Sequence, residues 1–126
     1  MIRYRYNDQF SPPAPFVHVS LRGLEDTAAI TDLPAQLDTA ADLTVVPAVL
    51  VERLGLVPIG TVQVSAFGGI LTSVRTFLAR VQIRGQEPVV IKIVSSAEEP
   101  HILLGRDILN RHRFLLDGPR GPLEIE

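Results

Sequence analysis

The chain has 126 residues and a formal charge of −2, a length that suits about one domain and a charge that gives no reason to expect nucleic acid. Val, Leu and Ile supply 40 residues, which excludes a disordered chain, and no run approaches the ~20 apolar residues of a membrane-spanning helix. There is no cysteine, so disulfides, thiol nucleophiles and Cys-based metal sites are excluded.

Residues 1–6 lack the apolar stretch of a secretory signal, so an intracellular, cytoplasmic protein is expected. Residues 1–15 continue into Ser11-Pro12-Pro13-Ala14-Pro15. Pro cannot donate to a strand ladder, so this part is read as an extended N-terminal arm preceding a domain over residues 16–126. Phe16-Val17-His18-Val19-Ser20-Leu21 alternates with period two, the mark of a half-buried strand. Pro47 opens a short helix that ends at Gly55, where a left-handed residue is favoured. Ala79-Arg80-Val81-Gln82-Ile83-Arg84 alternates again, Gly85-Gln86 predicts a hairpin turn, and residues 89–94 form a β-branched strand. His101-Ile102-Leu103-Leu104-Gly105 is a short apolar strand. A second helix is predicted over residues 106–113, with Asp107 in its first turn and Arg111 and Arg113 in its last. The expected fold class is therefore all-β, or mostly β, with two short helices.

Several chemistries are excluded by their missing motifs. No phosphate-cradling Gly-x-x-x-x-Gly-Lys-Ser/Thr loop is present, and the sole lysine, Lys92, sits in a predicted strand. Neither a Gly-x-Ser-x-Gly elbow nor a His-Glu-x-x-His pair occurs. His18, His101 and His112 are scattered, which reads as surface or partly packed histidines and no metal site.

One constellation remains. Asp38-Thr39-Ala40-Ala41-Asp42-Leu43-Thr44-Val45 follows an apolar strand, Ala66-Phe67-Gly68-Gly69-Ile70 makes a glycine-centred hairpin tip, and Ile102-Leu103-Leu104-Gly105-Arg106-Asp107 lies downstream. In this order and at this spacing the chain resembles the retropepsin-like aspartic proteases, the retroviral enzymes and their cellular and bacterial relatives. The likeness runs from about Phe16 to the C-terminus. It implies an acid-protease barrel with one lobe per chain, and a peptide or protein substrate. Asp38, Thr39 and Ala40 occupy the catalytic motif. Ala41, Asp42, Leu43, Val45, Phe67, Gly68, Gly69 and Leu103 would line the substrate groove. Asp42, Gly105, Arg106 and Asp107 would brace the loop from behind, with Asp42 paired to Arg106. The resemblance also implies that residues 122–126 join an intersubunit sheet.

Peptide hydrolysis without a metal or a nucleophilic side chain needs one group to deprotonate water and another to protonate the leaving nitrogen. Two adjacent carboxylates sharing one proton do both, as in pepsin and HIV protease, which are established cases. The constellation holds one Asp-Thr-x motif, Asp38-Thr39-Ala40, so the second carboxylate would come from a second copy across a two-fold axis. An aspartic endopeptidase active as a homodimer is expected, with no metal or organic cofactor. The family's motif has Gly where this chain has Ala40, which keeps a second reading open: a catalytically weak or inactive module of the same fold, used for peptide binding or dimerisation.

Overall fold

A computed structural model describes residues 1–25, 28–65 and 68–126. Twelve elements run in the order β1 (Ile2–Arg5), β2 (Phe16–Arg22), β3 (Ala29–Leu37), β4 (Val45–Pro47), α1 (Ala48–Leu54), β5 (Pro58–Ser65), β6 (Leu71–Ile83), β7 (Val89–Ser96), β8 (Ile102–Leu104), α2 (Arg106–Leu109), β9 (Phe114–Leu116) and β10 (Pro122–Ile125).

The period-two sequences become strands with one face in the core. On β2, Val17, Val19 and Leu21 are buried, and on β6 Ala79, Val81 and Ile83 are buried while Gln82 is exposed. Ile91 and Ile93 of β7, Ile102 and Leu104 of β8, and Ile108 of α2 complete the same cluster. Each of these Val, Leu and Ile side chains contributes roughly 1.5–3 kcal/mol by leaving water.

Seven strands pair in the order β2-β3-β8-β4-β7-β6-β5, and β2 also pairs with β6. That extra pairing closes six of the strands into a barrel and leaves β5 as an outer hairpin arm on β6. Most neighbours are antiparallel, but β3–β8 and β4–β7 are parallel. Helix α1 starts after Pro47 and ends at Gly55, whose φ of 62° is left-handed, a conformation that costs glycine little. The second helix is shorter than residues 106–113: α2 ends at Leu109, and the chain continues in tight turns in which Arg111 N–H donates to Ile108 O and His112 N–H to Leu109 O. Those three-residue closures replace helical bonds, and Arg111 Nε turns back onto Asp107 O at 3.0 Å.

A separate three-stranded sheet gathers both chain ends in the order β1-β10-β9. Ile2 faces Ile125 across β1–β10, and Leu123 faces Leu116 across β10–β9. Leu123 and Ile125 are fully buried. Within the chain β10 is the central strand of this sheet, with β1 on one edge and β9 on the other. Among the described residues, no helix is long and apolar enough to cross a membrane.

Candidate active site

The parallel β3–β8 pair positions Asp38. Leu37 is in register with Leu104, and Asp38 N–H carries the pairing one step further by donating to Leu104 O at 3.0 Å. Beyond it the chain must leave β3, pass over the end of β8 and enter β4, where Val45 pairs with Leu103 on the other side of β8. Residues 38–44 form that crossing. Asp38 is half-buried, and its Oδ1 accepts the Ala40 N–H at 3.2 Å, while Ala41 N–H donates to Asp38 O at 3.2 Å. The carboxylate is thus fixed by its own loop, with its outer side toward solvent.

Ala40 keeps the N–H that holds the acid. Among the described residues Asp32, with φ 59°, is the non-glycine residue with positive φ, so Ala40 carries no left-handed strain and its methyl group fits the loop as built.

The strand-to-helix turn after β8 braces the loop from beneath. Arg106 N–H donates to Ala41 O at 2.9 Å. Its guanidinium reaches further, with Nη1 donating to Thr39 O at 2.7 Å and Nη2 to Asp42 Oδ1. Asp42 and Thr39 are both exposed, so this fork fixes geometry more than it adds stability. Gly105 is buried against the loop backbone: a Cβ there would lie 2.6 Å from Leu43 C and 2.8 Å from Leu43 O. Only a hydrogen fits.

Thr44 is a residue that reading the sequence passed over. It is fully buried. Its hydroxyl donates to Asp107 Oδ1 at 2.7 Å and accepts the Gly105 N–H at 3.1 Å. Its N–H donates to Asp107 Oδ2 at 3.0 Å, and its carbonyl accepts the Val94 N–H at 3.1 Å. Four bonds, two from its side chain and two from its backbone, join the loop to α2, to the turn after β8 and to β7 at one residue. The available signal was a single hydroxyl inside the apolar run Leu43-Thr44-Val45-Val46, whose burial demands a partner such as Asp107.

A cleft of about 690 Å³ opens beside this loop. Ala40, Ala41, Asp42, Leu43 and Val45 line one side and Val62, Gln63, Val64, Ser65 and Leu71 of the β5–β6 hairpin the other. Asp38 and Thr39 immediately precede the lining segment. The hairpin residues were not singled out in the sequence, because their strand gives no chemical signal. Leu103 lies half-buried in β8 and is not a lining residue of this cleft. Gly68 and Gly69 are exposed at the hairpin tip with φ of 98° and 78°, while Phe67 lies outside the described residues. The three histidines are apart from the cleft. His18 Nδ1 is 2.9 Å from Asp32 Oδ1, and His101 stacks edge-on against Phe16. Burial, and then the neighbouring Arg111, hold the His112 pKa below its ordinary value.

A six-strand barrel whose Asp-Thr loop is clasped by a Gly-Arg-Asp turn defines a retropepsin-like aspartic protease fold. The chain belongs to the aspartyl protease family, whose sequence model matches residues 17–108. No curated protein sequence matches significantly. Among solved structures, a retropepsin-like aspartic protease from Rickettsia conorii is similar with a TM-score of 0.69 at 16% identity, covering 98% of this chain and 88% of that one. EIAV protease in complex with the inhibitor HBY-793 gives a TM-score of 0.50 at 27% identity, covering 78% and 86%. The foamy viral protease-reverse transcriptase gives a TM-score of 0.57 at 15% identity, with 79% of this chain spanning 12% of that one.

Proposed function

We propose that the protein is an aspartic endopeptidase whose active form is a homodimer, with Asp38 of each copy contributing to one carboxylate dyad. In this reading the ionised Asp38 accepts a proton from water as the oxygen attacks the peptide carbonyl carbon. The protonated Asp38 of the second copy gives its proton to the carbonyl oxygen. The resulting gem-diol gives a hydroxyl proton to the carboxylate left ionised by the first step as the C–N bond breaks, and the proton on the other carboxyl passes to the leaving nitrogen. Arg106 and the Thr44–Asp107 cluster act as positioning residues that hold the loop while charge moves. The β5–β6 hairpin serves as a flap, with Gly68 and Gly69 allowing its tip to bend over bound peptide.

The observation that carries this reading is the site's construction. A half-buried carboxylate is held by the N–H of Ala40, and Ala40 opens the segment that lines a peptide-sized cleft. The apolar lining by Leu43, Val45, Val62, Val64 and Leu71 favours apolar side chains on the substrate.

A peptide library incubated with the protein between pH 4 and 7 tests the proposal. Cleavage by the wild type is expected, and Asp38→Asn should lower kcat/KM by about a hundredfold or more, the usual scale of general acid–base catalysis. Equal rates for the wild type and the variant, or no cleavage by either, would overturn it.

A further inference from the structure

We infer that Phe10 is a positioning residue for Asp38, resting on the endopeptidase reading for the role of Asp38 itself. The segment before β2 folds back into a clasp. Its one apolar anchor bridges the two strands that flank β3 and steadies the strand end from which the Asp38 loop departs.

The prolines of this segment predict an extended arm, but residues 7–14 close into a loop. Asn7 N–H donates to Ala14 O at 2.8 Å, and Ala14 N–H returns to Asn7 O at 3.1 Å. Asn7 Oδ1 accepts the Gln9 N–H at 2.9 Å, which turns the chain inside the loop. The root is held by Tyr6 N–H on Gly121 O and by the burial of Ala14 and Phe16. Within the loop Asp8, Gln9, Ser11, Pro12 and Pro13 are exposed, and Phe10 alone is half-buried. Ordering a loop costs conformational entropy at every residue, and an aromatic ring laid on the domain offsets that cost.

Phe10 meets two other rings. Its centroid is 5.2 Å from that of Phe16 and 6.1 Å from that of His101, and Phe16 and His101 meet edge to face at 5.4 Å and 90°. Phe16 opens β2, and His101 immediately precedes β8. In the sheet order β2-β3-β8 these strands are the two neighbours of β3. One side chain therefore ties together the strands on either side of the one that leads into Asp38.

The backbone carries this tie to the site. Phe16 is in register with Gln36, and Pro15 extends the pairing one residue past β2, because Leu37 N–H donates to Pro15 O at 3.1 Å. Pro15 has no N–H, so its carbonyl is what it offers to β3. The next amide, Asp38 N–H, points the other way, to Leu104 O at 3.0 Å. The last two amides before the loop are thus held from opposite sides, Leu37 by the clasp and Asp38 by β8. Removing the Phe10 ring loosens the root that presents the Pro15 carbonyl, and leaves the base of the Asp38 loop firmly held on one side only.

Amide hydrogen exchange and cleavage kinetics on the full chain test the inference together. Phe10→Ala should speed exchange of the Leu37 amide about tenfold or more, as expected for local opening. The Val94 amide, which holds the far end of the same loop through Thr44 O, should exchange as in the wild type. In peptide cleavage Phe10→Ala should lower kcat about tenfold at unchanged KM, since misplacing a reacting group acts on the transition state more than on binding. Phe10→Tyr, which keeps the ring, should restore both readouts. Circular dichroism reports folding, and if Phe10→Ala unfolds the chain, Phe10→Leu should show the same two changes at smaller amplitude. Wild-type exchange at Leu37 together with wild-type kcat would overturn the clasp. Equal acceleration at Leu37 and Val94 with kcat unchanged would overturn it too, because Phe10 would then serve overall stability. Faster exchange at Leu37 alone, in a protein whose cleavage is indifferent to Asp38→Asn, would sink the endopeptidase reading and uphold the clasp on β3.

Discussion

The methyl group of Ala40 and the missing methyl group of Gly105 act on the same loop in opposite senses. Ala40 adds bulk at the cleft, where the family motif has glycine, but its backbone avoids the positive φ that would make alanine costly. Its N–H still reaches Asp38 Oδ1, so the substitution narrows the space over the acid without releasing it. At Gly105 there is no such latitude. The atoms that a side chain would strike, Leu43 C and Leu43 O, are backbone, and they belong to a loop tied down on both sides by Arg106 N–H and Thr44. Gly105→Ala must displace that loop or strain the end of β8. The expected loss of stability is about 1–3 kcal/mol, the range for overpacking a filled site. Urea denaturation measures it directly, and peptide cleavage should fall further than the stability change alone explains, because Asp38 rides on the displaced segment.

At the scale of elements, the loop is held by two kinds of contact with different weight. The Arg106–Asp42 pair is exposed, and exposed ion pairs contribute about 0–1 kcal/mol. In the Thr44–Asp107 cluster Thr44 is fully buried and Asp107 half-buried, and the members satisfy one another. Thr44→Val keeps the shape but strips the hydroxyl, leaving one oxygen of Asp107 and the Gly105 N–H without their partner. A loss of about 1–3 kcal/mol is expected from each group so orphaned, read as a lower denaturation midpoint, with Asp42→Asn nearly unchanged as the contrast. The sequence made some of these elements legible and hid others for physical reasons. β2 and β6 were visible because one face of each is wet and the other dry, which imprints period two, and β7 because its β-branched residues run together. The end of α1 was visible because Gly55 takes a conformation that few residues share. Of β3 only the apolar end before Asp38 was visible; its earlier part was obscured by Asp32, which lies opposite the irregular pairing between Val19 and Leu21 of β2, and by Pro34, which faces His18. β1 and β9 are only four and three residues long, too short for a period to register. The loop residues Asp38, Asp42, Gly105 and Arg106 stood out by chemical type and order. Thr44 and the hairpin side of the cleft did not, because their roles arise from which strands become neighbours.

For the whole molecule, the fold determines what one chain can do alone. Asp38 follows directly on the end of β3, and the cleft has one wall from the loop it opens and one from the hairpin. If one carboxylate must accept a proton while the other donates, a dimer with one Asp38 replaced should have lost the reaction, whereas two independent sites would each keep their own activity. Mixing therefore separates the possibilities. Wild type and Asp38→Asn, combined at one part to nine under dilution and then reconcentrated, should exchange partners at random. A wild-type chain then meets another wild-type chain about one time in ten in a symmetric two-chain assembly, so cleavage per wild-type chain should fall about tenfold. Unchanged cleavage with Asp38→Asn in excess would instead mean that each Asp38 works alone.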